Sequence, residues 1–323
     1  MRIAVTGASG FVGGAVCRAL VGQGIEPFAY GRRPQVEPEH VAGAPYRSWD
    51  LTQGPLRDAP VVDAVIHCAG SVTDWGPAST LFATNLAGTK HVLASFPKGR
   101  FVHVSTASVY DPYSPTVMAR EDQAPAPRYL NAYGASKAAA ERAVLSVMRG
   151  YGRALWRGPA KREAVILRPH AVYGPGDTTL LPRLLSSVRG PILPAVGNGR
   201  QRVSLTSIDN LVQACLRAAM GPVGTGIFNI ADAEPVTIDT ALRALLAERG
   251  VKARPLYLPA SAARPLAAAM EGAYLLTRRP EPPRLTRYAI SHLAVERTLD
   301  LTAATTILGY TPAETTFKGA STW

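Results

Sequence analysis

The sequence is poor in cysteine and histidine, and neither residue forms a recognisable ligand pattern. Its three cysteines, Cys17, Cys68 and Cys215, include no CxxC spacing, and its six histidines include no HxxxH or HExxH pair. An odd, sparse cysteine set favours reduced, partly buried thiols and predicts a cytoplasmic location. No metal site is expected from these residues.

Lysines, acidic residues and long apolar runs are also scarce. Lys and Arg number 35 against 23 Asp and Glu, which gives a net charge of +12, and nearly all of the excess is scattered arginine. Without a nucleic-acid-binding motif, scattered arginines favour solvated charges and contacts to a small anionic ligand over a nucleic acid partner. The apolar stretch from Pro265 to Thr277 is interrupted by Glu271 and is too short to span a bilayer, so no membrane partner is expected.

The composition is that of an ordinary globular protein, and the first thirty residues contain a recognisable pattern of strands, a glycine-rich turn and a helix. The chain has 323 residues, of which 47% are apolar and 18% charged, enough for one large or two closely joined domains. Residues 2–5 read as a buried strand, residues 6–13 (TGASGFVG) as a glycine-rich turn, the next residues as an amphipathic helix, and residues 26–30 as a second strand. This order is the context that a dinucleotide-binding fingerprint requires.

The chemistry of such a turn explains its three glycines. One makes the tight turn, one lets the backbone approach a pyrophosphate, and one lets the helix pack closely on the strand. The helix N-terminus then presents N–H groups and the positive end of its dipole to the phosphates. The predicted cofactor contacts in this turn are Gly7, Ser9, Gly10, Phe11, Val12 and Gly13.

The end of the second strand predicts which nicotinamide cofactor is bound. Enzymes that use NAD usually carry Asp or Glu there, to hold the ribose 2′-hydroxyl. This sequence has Tyr30, Gly31, Arg32 and Arg33 instead. Because arginine binds a phosphate bidentately and stays charged, we expect NADP(H) to be preferred, with NAD(H) as the alternative.

Strands and helices continue to alternate after the second strand. Residues 61–70 contain a buried strand followed by a glycine turn, residues 79–96 have helical spacing, and residues 101–105 read as another strand. Alternation of this kind predicts a parallel sheet covered on both faces. The predicted fold is therefore α/β, with a doubly wound parallel sheet of the Rossmann type.

A tyrosine and a lysine four residues apart carry the predicted acid–base chemistry. Tyr133 and Lys137 open an alanine-rich helix that is expected to run to about Arg149, which places both on one helix face. A nearby ammonium group should lower the pKa of the Tyr133 phenol, so that it exchanges a proton near neutral pH. Upstream, the hydroxyls of residues 105–108 follow a strand end, where open α/β sheets bind their ligands.

Together these motifs resemble the extended short-chain dehydrogenase/reductase superfamily, the NAD-dependent epimerase/dehydratase family, over almost the whole chain. The resemblance implies that Asp50 and Leu51 contact adenine and that the turn with Ala69 and Gly70 passes the cofactor ribose. The further matching segments are the NxxGT helix at residues 85–89, the nicotinamide-flanking segment at residues 167–177, which includes Pro169 and Val172, and a shared stretch ending at Asn210.

The resemblance also implies the roles of the catalytic residues. Tyr133 is the acid/base, Lys137 orients the nicotinamide ribose and lowers the Tyr133 pKa, and both residues contact the cofactor. Thr106 takes the place of the residue that polarises the reacting oxygen, with Ser105 and Ser108 as the alternative choices.

Departures from the family pattern narrow the expected reaction. Ala107 and Ser108 stand where nucleotide-sugar dehydratases carry Asp and Glu, so the acid and base for water elimination are missing. Ala171 and Val203 replace an Asn and an Arg that are usual in nucleotide-sugar epimerases. Arg202 is one residue away, which on a strand would point it to the opposite face.

Other segments look closer to the branch of 3β-hydroxysteroid dehydrogenases, sterol-4-carboxylate 3-dehydrogenases and 2-alkyl-3-oxoalkanoate reductases, which act on a ketone or secondary alcohol of a largely apolar molecule. These segments are residues 72–77, 168–170, 197–210, 285–288 and 308–310.

The sequence thus predicts an NADP(H)-binding domain at residues 1–168 with returns near residues 205–231. A smaller, discontinuous α/β substrate domain is expected at residues 169–204 and 232–323. The expected activity is NADP(H)-dependent reduction of a ketone in a small, 3-oxo acid-like or steroid-like molecule, with a homodimer compatible with the resemblance. The alternatives are a nucleotide-sugar epimerase and a non-catalytic NADP(H)-sensing protein; the latter kind usually loses the tyrosine or lysine that is present here.

Overall fold

A computed structural model describes residues 1–147, 162–277, 279 and 281–323 of the chain. In chain order, the strands of these residues are β1 (Ile3–Thr6), β2 (Phe28–Gly31), β3 (Tyr46–Ser48), β4 (Ala64–His67), β5 (Arg100–Val104), β6 (Thr116–Ala119), β7 (Ala164–Pro169), β8 (Val172–Tyr173), β9 (Ile192–Val196), β10 (Arg202–Val203), β11 (Thr206–Ser207), β12 (Gly226–Ile230), β13 (Val236–Thr237), β14 (Arg254–Leu258) and β15 (Arg297–Leu299). The helices are α1 (Phe11–Gly22), α2 (Ala78–Phe82), α3 (Gly88–Ser95), α4 (Ala132–Val147), α5 (Leu180–Leu185), α6 (Ile208–Met220), α7 (Ile238–Glu248), α8 (Ala260–Leu276), α9 (Arg287–Leu293) and α10 (Thr302–Thr306).

The central sheet is parallel and doubly wound. Among the described residues its seven strands lie in the order β12-β7-β5-β4-β1-β2-β3, and each pairs in parallel with its neighbours. The strand order reverses between β1 and β4, which is where such sheets bind their ligands. The predicted fold class is confirmed.

Both faces of the sheet are buried, as the near-continuous apolar strands require. Ile3 and Val5 of β1 pack on one face with Leu211 of α6. Ala4, between them, packs on the other face with Val144 of α4. This alternation follows from the two-residue period of a strand, and it fixes α1 and α6 on one side and α3 and α4 on the other.

Some element boundaries differ from those expected from the sequence. The helix predicted over residues 79–96 consists of α2, a π-helical turn at Ala83–Ala87, and α3. The π turn surrounds Asn85, which is buried, and an extra residue per turn of this kind is frequent at functional sites. Helix α4 begins at Ala132, and its predicted end near Arg149 lies outside the described residues.

The remaining elements form smaller sheets beside the C-terminal edge of the main sheet. Strands β13, β10, β15 and β6 form one of them, β11 pairs with β8, and β14 pairs with β9. Strand β12 joins the main sheet beside β7, and α6 packs against α1. We propose the division into a domain of residues 1–168, with returns near 205–231, and a substrate domain; β6 and β11 of the first domain pair with β15 and β8 of the second and so join the two. Among the described helices, none has both the length and the apolar character needed to cross a bilayer.

Candidate active site

The glycine turn after β1 is packed too tightly for any larger residue. Gly7 has a φ of +76°, and a Cβ there would lie 2.6 Å from the backbone nitrogen of Ala69. A Cβ on Gly13 would lie 2.2 Å from the carbonyl oxygen of Gly7, and one on Gly10 would lie 3.2 Å from the same atom. The turn therefore leaves the N-terminus of α1 facing the crevice between β1 and β4, which fits a pyrophosphate.

Arg32 and Arg33 lie just after β2, at the C-terminal edge of the sheet, and both are exposed. Their backbone is held in place, since the Arg33 carbonyl accepts a hydrogen bond from the Tyr46 hydroxyl at 2.7 Å and the Arg32 carbonyl accepts one from Ser48 at 3.5 Å. Neither guanidinium forms an ion pair within the part of the chain that the structure describes. Both are therefore able to turn towards a phosphate group.

Asp50 and Leu51 follow β3 at the same edge. The Asp50 carboxylate accepts hydrogen bonds from the backbone N–H of Thr52 at 2.9 Å and from its hydroxyl at 2.8 Å. These bonds, and to a smaller extent the charge of Arg32, hold the pKa of Asp50 below its usual range. Leu51 is buried against Gly88. The predicted adenine-side residues thus lie near the predicted 2′-phosphate arginine.

The turn with Ala69 and Gly70 is held by Asn85, which was not predicted as a site residue. Its Oδ1 accepts a hydrogen bond from the Ser71 N–H at 2.7 Å, and its Nδ2 donates to the Ser71 carbonyl at 3.1 Å and to the Ser136 hydroxyl at 2.9 Å. Asn85 therefore joins this turn to the helix that carries Tyr133. The NxxGT motif at residues 85–89 was the signal that pointed to it.

Tyr133 and Lys137 are both buried at the start of α4. Lys137 donates from Nζ to the Val104 carbonyl at the end of β5 at 2.7 Å, and burial lowers its pKa to about 8. The pKa of Tyr133 is raised by burial, and hydrogen bonding from Thr106 offsets this in part. The predicted lowering of the Tyr133 pKa by Lys137 is therefore wrong for this structure, because desolvation of the phenolate dominates.

The structure separates the three hydroxyls after β5. Ser105 donates to the buried Glu141 carboxylate at 2.5 Å, away from Tyr133. Thr106 accepts from the Ser108 N–H at 3.1 Å and donates to the Ser108 hydroxyl at 3.2 Å. Thr106 thus remains beside the Tyr133 phenol, with Ser108 bonded to Thr106, whereas Ser105 belongs to the core.

A second tyrosine, which was matched to relatives only as part of residues 285–288 and was not named as a site residue from the sequence, faces the first. The ring of Tyr288, from α9, stands edge-on to the ring of Tyr133, with 6.2 Å between their centres. The Tyr288 hydroxyl lies 2.7 Å from the Ser108 hydroxyl. No local pattern indicated this, because Ser108 and Tyr288 are 180 positions apart in the chain.

The last predicted cofactor segment leaves the sheet at β7. Pro169 ends β7, and Val172 begins β8, where it is half-buried. Between them, Ala171 adopts a φ of +46°, a conformation that is costly for alanine and cheaper for asparagine or glycine. The chain is thereby turned from the first domain towards the second at the edge of the crevice. Within the described ranges, no group of three or more His, Cys, Asp or Glu side chains could hold a metal ion.

Comparisons with known proteins agree with this geometry. Residues 3–231 match the model of the NAD dependent epimerase/dehydratase family. The chain is 33% identical to a 2-alkyl-3-oxoalkanoate reductase of Stenotrophomonas maltophilia, over 97% of this chain and 95% of that protein. It is 30% identical to the 2-alkyl-3-oxoalkanoate reductase of Shewanella oneidensis, over 95% of this chain and 81% of that one.

Solved structures share the fold. MoeE5 in complex with UDP-glucuronic acid and NAD has a TM-score of 0.72 and 24% identity, over 98% of this chain and 94% of that chain. At this identity the likeness shows the fold alone. The family resemblance predicted from the motifs is confirmed.

Proposed function

The chain belongs to the NAD dependent epimerase/dehydratase family and is an NAD(P)H-dependent oxidoreductase, and we propose that it reduces the ketone of a largely apolar small molecule with NADPH. Its substrate resembles a 3-oxo acid or a steroid. Thr106, Tyr133 and Lys137 are the catalytic residues.

The observation that carries this proposal is the placement of Tyr133 and Thr106 at the sheet's C-terminal edge. A bound NADPH would supply the hydride. Tyr133 donates the proton to the ketone oxygen, and the Thr106 hydroxyl turns its donor from Ser108 to the same oxygen. Burial keeps the phenol protonated at neutral pH, which suits the reduction direction. Lys137 lies beside the turn at Gly70, where a Cβ would be 3.8 Å from its Nζ, so it can contact the ribose.

The cofactor preference is supported by the edge of the sheet after β2. Arg32 and Arg33 are the exposed groups there, and the sequence from Tyr30 to Arg33 contains no carboxylate for a ribose 2′-hydroxyl. We propose that these arginines bind the 2′-phosphate of NADP(H). The glycine turn, Asp50 with Leu51, Ala69 with Gly70, and Pro169 with Val172 are proposed to line the rest of the cofactor.

Two observations support a largely apolar ketone as the substrate: residues needed for reactions of nucleotide sugars are missing, and similar proteins reduce 3-oxo acids. Ala107 and Ser108 supply no acid and base for elimination from a sugar. Val203 is buried, while Arg202 is exposed and donates to the Pro235 carbonyl on the opposite face of β10, at 3.4 Å. Position 203 therefore lacks the arginine that is usual in nucleotide-sugar epimerases, and the neighbouring Arg202 is engaged elsewhere. The 2-alkyl-3-oxoalkanoate reductases to which the chain is similar act on an apolar 3-oxo acid by name.

The test is to follow NADPH absorbance with purified protein and a substrate panel. One half of the panel holds lipophilic 3-oxo acids and 3-ketosteroids, and the other holds UDP- and dTDP-sugars, with products identified by mass spectrometry and NMR. Stoichiometric NADPH loss with an alcohol product is expected. An isomerised sugar at constant absorbance would replace the proposal with an epimerase, and tight NADPH binding without any turnover would favour a sensing protein.

The acid role is tested by Tyr133→Phe, which should lower kcat by roughly 10²–10⁴, the usual effect of a positioned acid. The Kd for NADPH should change much less than kcat, because the phenol is only one of many predicted cofactor contacts. Tyr113→Phe is the control, because Tyr113 is 52% exposed. A Tyr133→Phe protein that keeps most of its rate would exclude the role.

A further inference from the structure

Arg183, on α5, carries an unused donor and is close enough to the Tyr288 phenol to influence it electrostatically. Its NH1 pairs with the Asp74 carboxylate at 3.0 Å. Its NH2 is buried and has no hydrogen-bond partner among the residues that the structure describes. A buried guanidinium nitrogen without an acceptor is unfavourable, and such atoms in native proteins usually meet a ligand or water.

Tyr288 is held next to this guanidinium by the same carboxylate. The second oxygen of Asp74 accepts a hydrogen bond from the Thr286 hydroxyl at 2.8 Å. Thr286 caps α9 by accepting from the Ala289 N–H at 3.0 Å, and Tyr288 lies in the first turn of that helix. The side chain of Asp74 is 5% exposed and that of Arg183 is 40% exposed, so the carboxylate is shielded from solvent while the guanidinium stays partly accessible.

A second ion pair fixes the start of α9. Glu271 of α8 is buried and accepts from the Arg287 backbone N–H at 2.7 Å and from its guanidinium at 2.6 Å. The phenol of Tyr288 is therefore carried on a helix end that is anchored from two sides. It points to Ser108 at 2.7 Å and stands edge-on to Tyr133.

The groups that converge here are suited to an anionic oxygen. Arg183 offers a cationic donor, and burial together with the neighbouring Tyr133 raises the pKa of Tyr288, which keeps its hydroxyl protonated and able to donate. The nearby acid, Asp74, already accepts from Arg183 and Thr286. Arginine binds carboxylates more strongly than it binds neutral oxygens, because the hydrogen bonds are charge-assisted.

We propose that Arg183 and Tyr288 bind the carboxylate of a 3-oxo acid while Tyr133 and Thr106 engage its ketone oxygen. In such an acid a single carbon separates the ketone carbon from the carboxyl carbon, so the two oxygen-bearing groups are close enough to be bound by residues around two neighbouring rings, those of Tyr133 and Tyr288, whose centres are 6.2 Å apart. The binding of the ketone oxygen by Tyr133 and Thr106 rests on the proposed function. The subsite adds the residues that would select an acid over an ester or a simple ketone.

Binding tests the subsite without turnover. Isothermal titration calorimetry is done on the protein saturated with NADP⁺, with octanoate and with octanamide as its neutral counterpart. Octanoate should bind the wild-type protein at least about 10-fold more tightly, the usual size of a charge-assisted hydrogen bond. Arg183→Gln should abolish that preference. Arg189→Gln, which removes the same charge from an exposed residue nearby, should keep it.

Kinetics then distinguish recognition from a structural role. With 3-oxooctanoate, Arg183→Gln and Tyr288→Phe should each raise KM by about 10-fold or more, while the values for its methyl ester change less than about 3-fold. Arg183→Lys should restore part of the acid preference. Tyr288→Phe leaves the Asp74 pair intact, so it tests the site even where Arg183→Gln lowers the melting temperature.

Equal binding of octanoate and octanamide by the wild-type protein would overturn the subsite. So would a preference that survives in Arg183→Gln, or an equal loss for acid and ester in both variants. A protein that selects octanoate but oxidises no NADPH with any ketone would instead contradict the proposed function and leave the subsite standing.

Discussion

The Tyr133 phenol is buried beside the Thr106 hydroxyl, and these surroundings set the pH range in which it carries a proton. Burial raises its pKa above the ordinary value of 10.0, and the Thr106 hydrogen bond acts in the opposite direction. Reduction of a ketone needs the protonated phenol, whereas oxidation of an alcohol needs the phenolate. The phenol therefore stays protonated through neutral pH, which is the form that ketone reduction needs.

This environment predicts a pH profile. The kcat/KM for ketone reduction should stay level through neutral pH; a first decrease near pH 8 would reflect deprotonation of Lys137, and loss of the phenol proton should lower the rate only as pH rises through the raised Tyr133 pKa. Thr106→Val removes the bond that lowers this pKa, so the fall should move to higher pH, together with a loss of rate. The profile is measured from pH 6 upwards on both proteins. A basic limb near pH 7 in the wild-type protein would contradict the assignment.

The arginines after β2 give a second prediction at the residue scale. Arg32→Glu places a carboxylate where the 2′-phosphate is expected, so the Kd for NADPH should rise by about an order of magnitude or more, a loss typical of a charged contact. The Kd for NADH should fall or stay unchanged. Fluorescence titration measures both. Arg57→Glu, at an exposed site, is the control for net charge, and an unchanged NADPH affinity in Arg32→Glu would remove the argument.

At the scale of elements, the first helix and its turn show how tightly the cofactor site is built into the packing. Gly13 and Gly22 both lie in α1. A Cβ at Gly13 meets the Gly7 carbonyl, whereas one at Gly22 meets nothing within 4 Å. Both positions belong to the same helix, but Gly13 is tightly packed whereas Gly22 has open space around it.

Alanine at these two positions should therefore have opposite effects. Gly13→Ala should destabilise the fold by about 1–3 kcal/mol through overpacking and should weaken NADPH binding by displacing the turn. Gly22→Ala should raise the free energy of unfolding by about 0.5–1 kcal/mol, since glycine is a poor helix former. Urea unfolding and NADPH titration measure both quantities. Equal stabilities would show that the helix shifts to accept the methyl group.

The element that carries the catalytic pair is fixed by a buried charge pair. Glu141 of α4 receives two hydrogen bonds from Arg168 of β7, at 3.0 and 2.8 Å, and both side chains are at most 2% exposed. Ser105 donates to the same carboxylate. Because the ion pair holds α4 against the sheet, it positions Tyr133 and Lys137 relative to the end of β5, and it withdraws Ser105 from the reaction.

On the scale of the whole molecule, four buried histidines have pKa values below the usual one for histidine. Burial lowers the pKa of His67 to about 3 and that of His170 to about 4, and it lowers those of His103 and His292 well below the usual value. His67 and His103 stack within the central sheet, with ring centres 5.3 Å apart. All four are neutral in the folded protein and become protonated near pH 6.5 when it unfolds.

Stability should therefore depend on pH in a defined window. The contribution of these histidines is present above pH 6.5 and is lost as pH falls from 6.5 towards 4, because the unfolded chain binds the protons. Each fully shifted histidine adds a slope of at most about 1.4 kcal/mol per pH unit. Urea unfolding between pH 7.5 and 4.5 measures the decline.

His103→Phe isolates one of these contributions. Neither ring nitrogen of His103 has a partner in the part of the chain that the structure describes. The phenylalanine should therefore raise the free energy of unfolding at pH 7 by about 1–3 kcal/mol and should flatten the pH dependence. If the variant is less stable and its stability depends on pH as in the wild-type protein, then the ring nitrogens of His103 form hydrogen bonds in solution and the prediction is wrong.

Several features were determined by the sequence itself. The strand, glycine turn and helix at the N-terminus, the alternation that makes a parallel sheet, and the spacing of Tyr133 and Lys137 all follow from local periodicity. Local sterics and residue spacing act over a few residues, so they can be recognised without tertiary contacts. The fold class and the family were predicted correctly on this basis.

Tertiary structure alone decided the environment of the site. It turned Ser105 into the core and kept Thr106 at the phenol, and it raised the Tyr133 pKa where sequence spacing predicted a lower one. It also brought Tyr288 to Ser108 across 180 positions and Arg183 to Asp74 across 109. Burial and charge pairing depend on segments far apart in the chain, so local patterns could not predict them.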